Sequence, residues 1–183
     1  MTLVCAAPVR GETVTNSFGF TGPEIFPIDQ QIGLLHAADL NGDGLNDLIV
    51  ANNLRSKINL LYNRTGKTNP PDANPPRKLE INELPPDARF RIDSIPVDEH
   101  IAAMVVTDLN GDGRPDIAFY GDAKNLEVIY NEGTNGWSDP KSWDIEDGDM
   151  DANALTAGDL NGDGRTDVVL LGDNGSLFFL SQT

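Results

Sequence analysis

Cysteine is nearly absent: Cys5 is the sole one in 183 residues, so no internal disulfide framework can cross-link the chain. Extra cross-linking has to come from another source, such as metal, and a free surface thiol is the simplest role for Cys5. Long apolar runs are also missing. None approaches the ~20 residues of a membrane span, so membrane insertion is not expected. Residues 3–7 are too short for a signal-peptide core, although Cys5-Ala6-Ala7 loosely fits the small-residue pattern at the tail of a clipped one. Cations are scarce, 13 Lys and Arg against 29 Asp and Glu, for a net charge of −16. Nucleic acid and anionic membrane surfaces need clustered Lys and Arg, and this balance argues against both as partners. A sustained 3.6-residue apolar period is lacking as well, which removes helices and leaves an all-β chain.

Catalytic signatures are equally sparse. There is no nucleophile motif, phosphate loop or cofactor fingerprint. His36 and His100 have no Cys, Ser or carboxylate at a repeated spacing and read as core or surface histidines. No catalytic or cofactor-binding residue is therefore assigned, and the chain is not expected to be an enzyme. Trp137 and Trp143 could stack on a sugar, but packing between repeats suits them better. Asn63-Arg64-Thr65 and Asn174-Gly175-Ser176 fit the glycosylation sequon, which matters only in a eukaryotic source.

What is present is a repeat. The stretch Asp39-Leu40-Asn41-Gly42-Asp43-Gly44-Leu45-Asn46-Asp47 returns at 108–116 and at 159–167, each copy reading D-x-N-x-D-G-x-x-D. Each runs into an apolar strand: Leu48-Ile49-Val50, Ile117-Ala118-Phe119 and Val168-Val169-Leu170. Short segments of small residues precede the loops, as suits strands at a narrow centre where several sheets converge. After a turn a further strand follows, and Tyr62-Asn63 and Tyr130-Asn131 hold equivalent ends. The unit predicted is four short antiparallel strands with the Asp loop joining the first two, which is a propeller blade. The domain reading is an N-terminal segment at 1–19 and three four-stranded antiparallel repeats over 20–183. Residues 20–28 overlay 137–145 and are expected to be matching outermost strands, since both carry Pro. The stretch 69–86 holds six prolines and reads as a stiff insertion between blades.

The loops carry a chemistry of their own. Asp at positions 1, 5 and 9 with Asn at position 3 gathers hard oxygen donors, the carbonyl at position 7 can complete the ring, and Gly at position 6 permits the bend. The expected ligands are Asp39, Asn41, Asp43 and Asp47 with the Leu45 carbonyl. The second set is Asp108, Asn110, Asp112 and Asp116 with the Arg114 carbonyl, and the third is Asp159, Asn161, Asp163 and Asp167 with the Arg165 carbonyl. Three divalent ions would bring the net charge to about −10. Soft metals lack their thiolate and paired imidazole ligands, and magnesium prefers fewer protein ligands. An EF-hand needs Glu at position 12, where this chain has Val50, Phe119 and Leu170.

On these motifs the chain resembles the FG-GAP or VCBS repeats of calcium-binding β-propellers, including those of integrin α subunits and of secreted or surface bacterial proteins. The core pattern is matched without substitution at all three loops, whereas clear Phe-Gly and Gly-Ala-Pro signatures are absent. The resemblance implies part of a larger, about seven-bladed propeller, about three Ca2+ ions, and an extracellular, cell-surface or periplasmic place. It implies an interaction, adhesion or assembly role toward protein or glycan. The alternative is the non-catalytic or partial propeller of a carbohydrate- or lipid-active enzyme whose catalytic residues lie outside this chain. Three blades fall short of the ~4 to 8 that close a propeller. The rest of the propeller, another copy or another protein chain is thus expected over the open blade edges.

Overall fold

A computed structural model of the chain describes Pro23, residues 25–66 and residues 88–183. The chain folds as three antiparallel sheets. The first runs β1 (Ile32–Ala38), β2 (Asp47–Asn52), β3 (Lys57–Asn63) and β4 (Phe90–Pro96) in that order. The second repeats the order with β5 (Ile101–Thr107), β6 (Asp116–Gly121), β7 (Asn125–Ile129) and β8 (Lys141–Asp144). The third holds β9 (Leu155–Gly158), β10 (Asp167–Leu171) and β11 (Leu177–Leu180). Among the described residues there is no α-helix. The all-β architecture of blade-like sheets expected from the sequence is therefore present, although among the described residues the sheets do not close into a ring.

The apolar pattern explains the layering. In β6, Ile117 and Phe119 enter the core shared with the first sheet, while Ala118 and Tyr120 enter the core shared with the third. The period of two sends alternate side chains to opposite faces, and because both faces are covered the strand reads as an unbroken apolar run. Phe119 and Tyr120 are fully buried, each contributing about 1.5–3 kcal/mol by removal from water. The strands that lead into the Asp loops are innermost, with β5 lying against β1 on one side and β9 on the other. Ala103, with no exposed surface, and Ala157 allow that approach, as the small residues predicted.

Polar ties fix the sheets to one another. Asn53, just after β2, donates its side-chain amide to the Ile101 carbonyl and accepts the Ile101 amide, both at 2.9 Å. This reciprocal pair joins the first sheet to the start of the second. His36 is half-buried on β1 near the Met104 backbone, and burial lowers its pKa. The Tyr120 hydroxyl donates to the Ile145 carbonyl at 2.7 Å, so a buried phenol keeps a partner.

The third sheet has three strands among the described residues, and two expectations are corrected. Of the segment 20–28, Pro23 and residues 25–28 form no strand; the Phe26 ring instead meets the Phe90 ring edge-on at 5.2 Å. The overlay on 137–145 succeeds only for the latter, where β8 is outermost in its sheet, because aromatic and Pro positions alone do not specify a ladder partner. The Pro-rich stretch 69–86 lies outside the described residues, as do residues 1–19 and Cys5, but its flanks are β3 and β4, neighbours in one sheet. The insertion therefore falls within the first blade and not between blades.

Candidate metal centre

Each Asp loop joins the first strand of a sheet to the second, so the three copies occupy equivalent corners. The position-1 carboxylate organises the turn. Asp39 accepts the amides of Gly42, Asp43 and Gly44 at 2.8, 3.1 and 2.8 Å. Asp108 accepts those of Asn110, Gly111, Asp112 and Gly113, and Asp159 those of Gly162 and Gly164. Partial burial would raise the Asp108 pKa, but this ring of amides outweighs it and holds the carboxyl below its usual range. Positions 3 and 5 each receive an amide two residues on: Asp43 to Asn41 and Leu45 to Asp43 in the first loop, with the same pair in the other two. These are Asx turns.

The loops wind with positive φ at two positions. Gly44, Gly113 and Gly164 at position 6 have φ of 83°, 81° and 84°, as expected. Gly42, Gly111 and Gly162 at position 4 have φ of 72°, 81° and 81° as well. The sequence carries that second glycine in all three copies, a signal that the reading of position 6 alone passes over.

Position 9 has a separate structural job. Asp47, Asp116 and Asp167 are fully buried. Each gives one oxygen to the amide that follows position 1 and the other to an amide at the end of the third strand. Asp47 accepts Leu40 at 3.0 Å and Asn63 at 2.6 Å; Asp116 accepts Leu109 at 2.9 Å and Asn131 at 2.8 Å. Asp167 accepts Leu160 and Gln182, both at 3.2 Å. Burial raises the carboxyl pKa of Asp47 and Asp116, and these amides oppose it. Position 9 thus staples the loop to the third strand. The conserved placement of Asn63 and Asn131 in the two Tyr-Asn ends was the sequence signal for the far side of this staple.

The position-7 residues differ in what their side chains do. Arg114 reaches back to the Asp112 carboxylate and donates through Nε to the Asn131 carbonyl at 2.7 Å. Arg165 lies 3.8 Å from Asp163, while Leu45 brings no charge.

All fifteen residues expected as ligands thus sit in three equivalent loops. Every donor they offer is a hard oxygen, which suits calcium, and a carboxylate oxygen has two lone pairs, so accepting one amide does not exhaust it. Among the described residues, however, no three Asp, Glu, His or Cys side chains converge into a metal-ligand group. The donor set would have to draw on the Asn oxygens and the position-7 carbonyls alongside the carboxylates.

No curated protein matches the chain. A family model described as an FG-GAP-like repeat matches residues 108–170, from the first Asp of the second loop to Leu170 of β10. The match takes in the second and third Asp loops and leaves the first outside, although 39–47 repeats their hydrogen bonds. The chain therefore carries an FG-GAP-like repeat, within a set of three sheets built to one plan.

Proposed function

We propose that the chain is a calcium-stabilised, non-enzymatic propeller module of a secreted, periplasmic or surface protein, serving adhesion or assembly through contact with protein or glycan. The observation that carries this reading is the threefold recurrence of one oxygen-rich loop at one corner of each sheet, in which every copy shares the amides of positions 4 and 6 to position 1, 5 to 3, 7 to 5 and 2 to 9. Positions 1, 3, 5 and 9 and the carbonyls of Leu45, Arg114 and Arg165 would hold the ion. The ion would neutralise clustered carboxylates and cross-link a chain that has no disulfide. Interaction through the ends of the stack is favoured by their apolar exposure. Phe26, Ile28, Ile32, Leu34, Leu35 and Phe90 line an open hollow on the first sheet, and Leu35 and Leu177 are well exposed. Surfaces of this kind are covered by the rest of a propeller, a second copy or another chain.

Thermal unfolding with calcium and with EDTA tests the proposal. A ligand at 100 times its Kd stabilises by about 2.7 kcal/mol per site, which is roughly 5–10 °C in a chain of this size. A melting temperature that EDTA leaves unchanged would contradict calcium stabilisation.

A further inference from the structure

β3 and β7 are each flanked on both sides, whereas β11 has β10 on one side and, among the described residues, no strand on the other. Its edge carries Leu177, 65% exposed, and Phe179, 49% exposed. Alongside lies a cleft of about 680 Å³ between the second and third sheets. Tyr130, Lys141 and Trp143 form one wall, and Val168, Leu180 and Gln182 the other. Trp143 is 41% exposed there.

The preceding junction shows what fills the same place between the first and second sheets. Tyr62 and Tyr130 are equivalent, since each precedes the Asn whose amide donates to the position-9 Asp. Each ring also carries a cation from the fourth strand of its own sheet: Arg91 at 4.4 Å from the Tyr62 centroid and Lys141 at 4.8 Å from that of Tyr130. Beyond that point the two junctions differ. Beside Tyr62, Trp137 packs on the first core and bridges to Asn131 just before β8. In the third sheet Gln182 takes the place of Asn131, its amide donating to Asp167, and Tyr130 lines the open cleft.

We propose that the cleft and the edge of β11 that no described strand covers together take an extended segment of a partner polypeptide, added antiparallel to β11 and bringing an indole ring against Tyr130. The register follows from the second sheet. There Trp143 pairs with Leu126 and Lys141 with Val128, and the equivalents of Leu126 and Val128 are Leu177 and Phe179, by their common pairing to β6 and β10. Strand addition gives affinity through main-chain hydrogen bonds and specificity through alternate side-chain pockets, and here the pocket is the Tyr130 cleft. The inference rests on the reading of the chain as an interaction module, and it names the chemistry of what covers one open edge.

The probe is a synthetic peptide with the sequence of residues 137–145, the segment that fills this role in the second sheet. It is titrated calorimetrically into the calcium-equilibrated full chain, with folding followed by circular dichroism. Binding that falls at least about tenfold when the first Trp of the peptide is replaced by Ala, and about fivefold in Tyr130→Leu protein, which loses the aromatic pair, supports the proposal. Equal binding of the two peptides, or no binding to folded protein, overturns it. So does a neutral oligosaccharide that occupies the cleft while the peptides do not. The calcium response is read on the same sample, so a peptide that fails on protein still stabilised by calcium sinks this proposal alone.

Discussion

Asp116 and Asn131 lie 15 residues apart and are locked together by a buried hydrogen bond, the Asn131 amide donating to the Asp116 carboxylate at 2.8 Å. Asn131 also donates its side chain to the Leu40 carbonyl of the first loop at 2.8 Å. One residue thus closes the second loop and ties it to the neighbouring sheet.

Replacing Asp116 by Ala would strand the amides of Leu109 and Asn131 in a buried site. The expected loss is roughly 2–4 kcal/mol, read by urea denaturation. Asp116→Asn keeps one acceptor and should lose about half as much. Because protein amides make the staple, the loss should persist in EDTA; a loss seen only with calcium would make Asp116 chiefly a ligand.

Gly113 has φ of 81° and open space where a Cβ would stand. The cost of Gly113→Ala is therefore one of backbone conformation, about 1 kcal/mol, and Gly113→Asn should cost less because Asn visits this region more readily. Equal melting temperatures for all three proteins would contradict the geometry of the loop.

Glu99 is 6% exposed, with Oε2 accepting the Ala123 amide at 3.2 Å and Oε1 unpartnered. Burial pushes its pKa from 4.5 up to about 7, with Glu127 and Asp122 adding repulsion. The native state then binds this proton more tightly than the unfolded chain does. Its contribution is fully present below pH 4.5 and is lost as pH rises through about 7. Glu99→Gln should therefore stabilise the protein at pH 8 by on the order of 1–2 kcal/mol and flatten the pH dependence between those values. A mutant less stable than wild type at pH 8 would contradict this account.

The loops and the first two strands of each sheet were legible in the sequence because fixed spacing and an apolar run both point to them. The burial of Asp47, Asp116 and Asp167 was not, because their partners include Asn63, Asn131 and Gln182, brought in only by pairing to the third strand. β4 left little signal, since it follows the Pro-rich stretch and alternates exposed Arg91 with half-buried Ile92 at an edge. Residues 25–28 were misread for the opposite reason. Their aromatic and Pro positions imitate an edge strand, while Phe26 is held by the Phe90 ring. The open cleft could not be anticipated, because it depends on Trp137 filling one junction and no counterpart being described at the next.

The ion count is the most direct test of the central claim. Calorimetric titration of metal-free protein with calcium, each loop silenced in turn by Asp39→Ala, Asp108→Ala or Asp159→Ala, should give about three sites for the parent and one fewer for each variant. A parent that takes up no calcium, or variants that keep the parental count, would contradict the assignment of one ion to each loop.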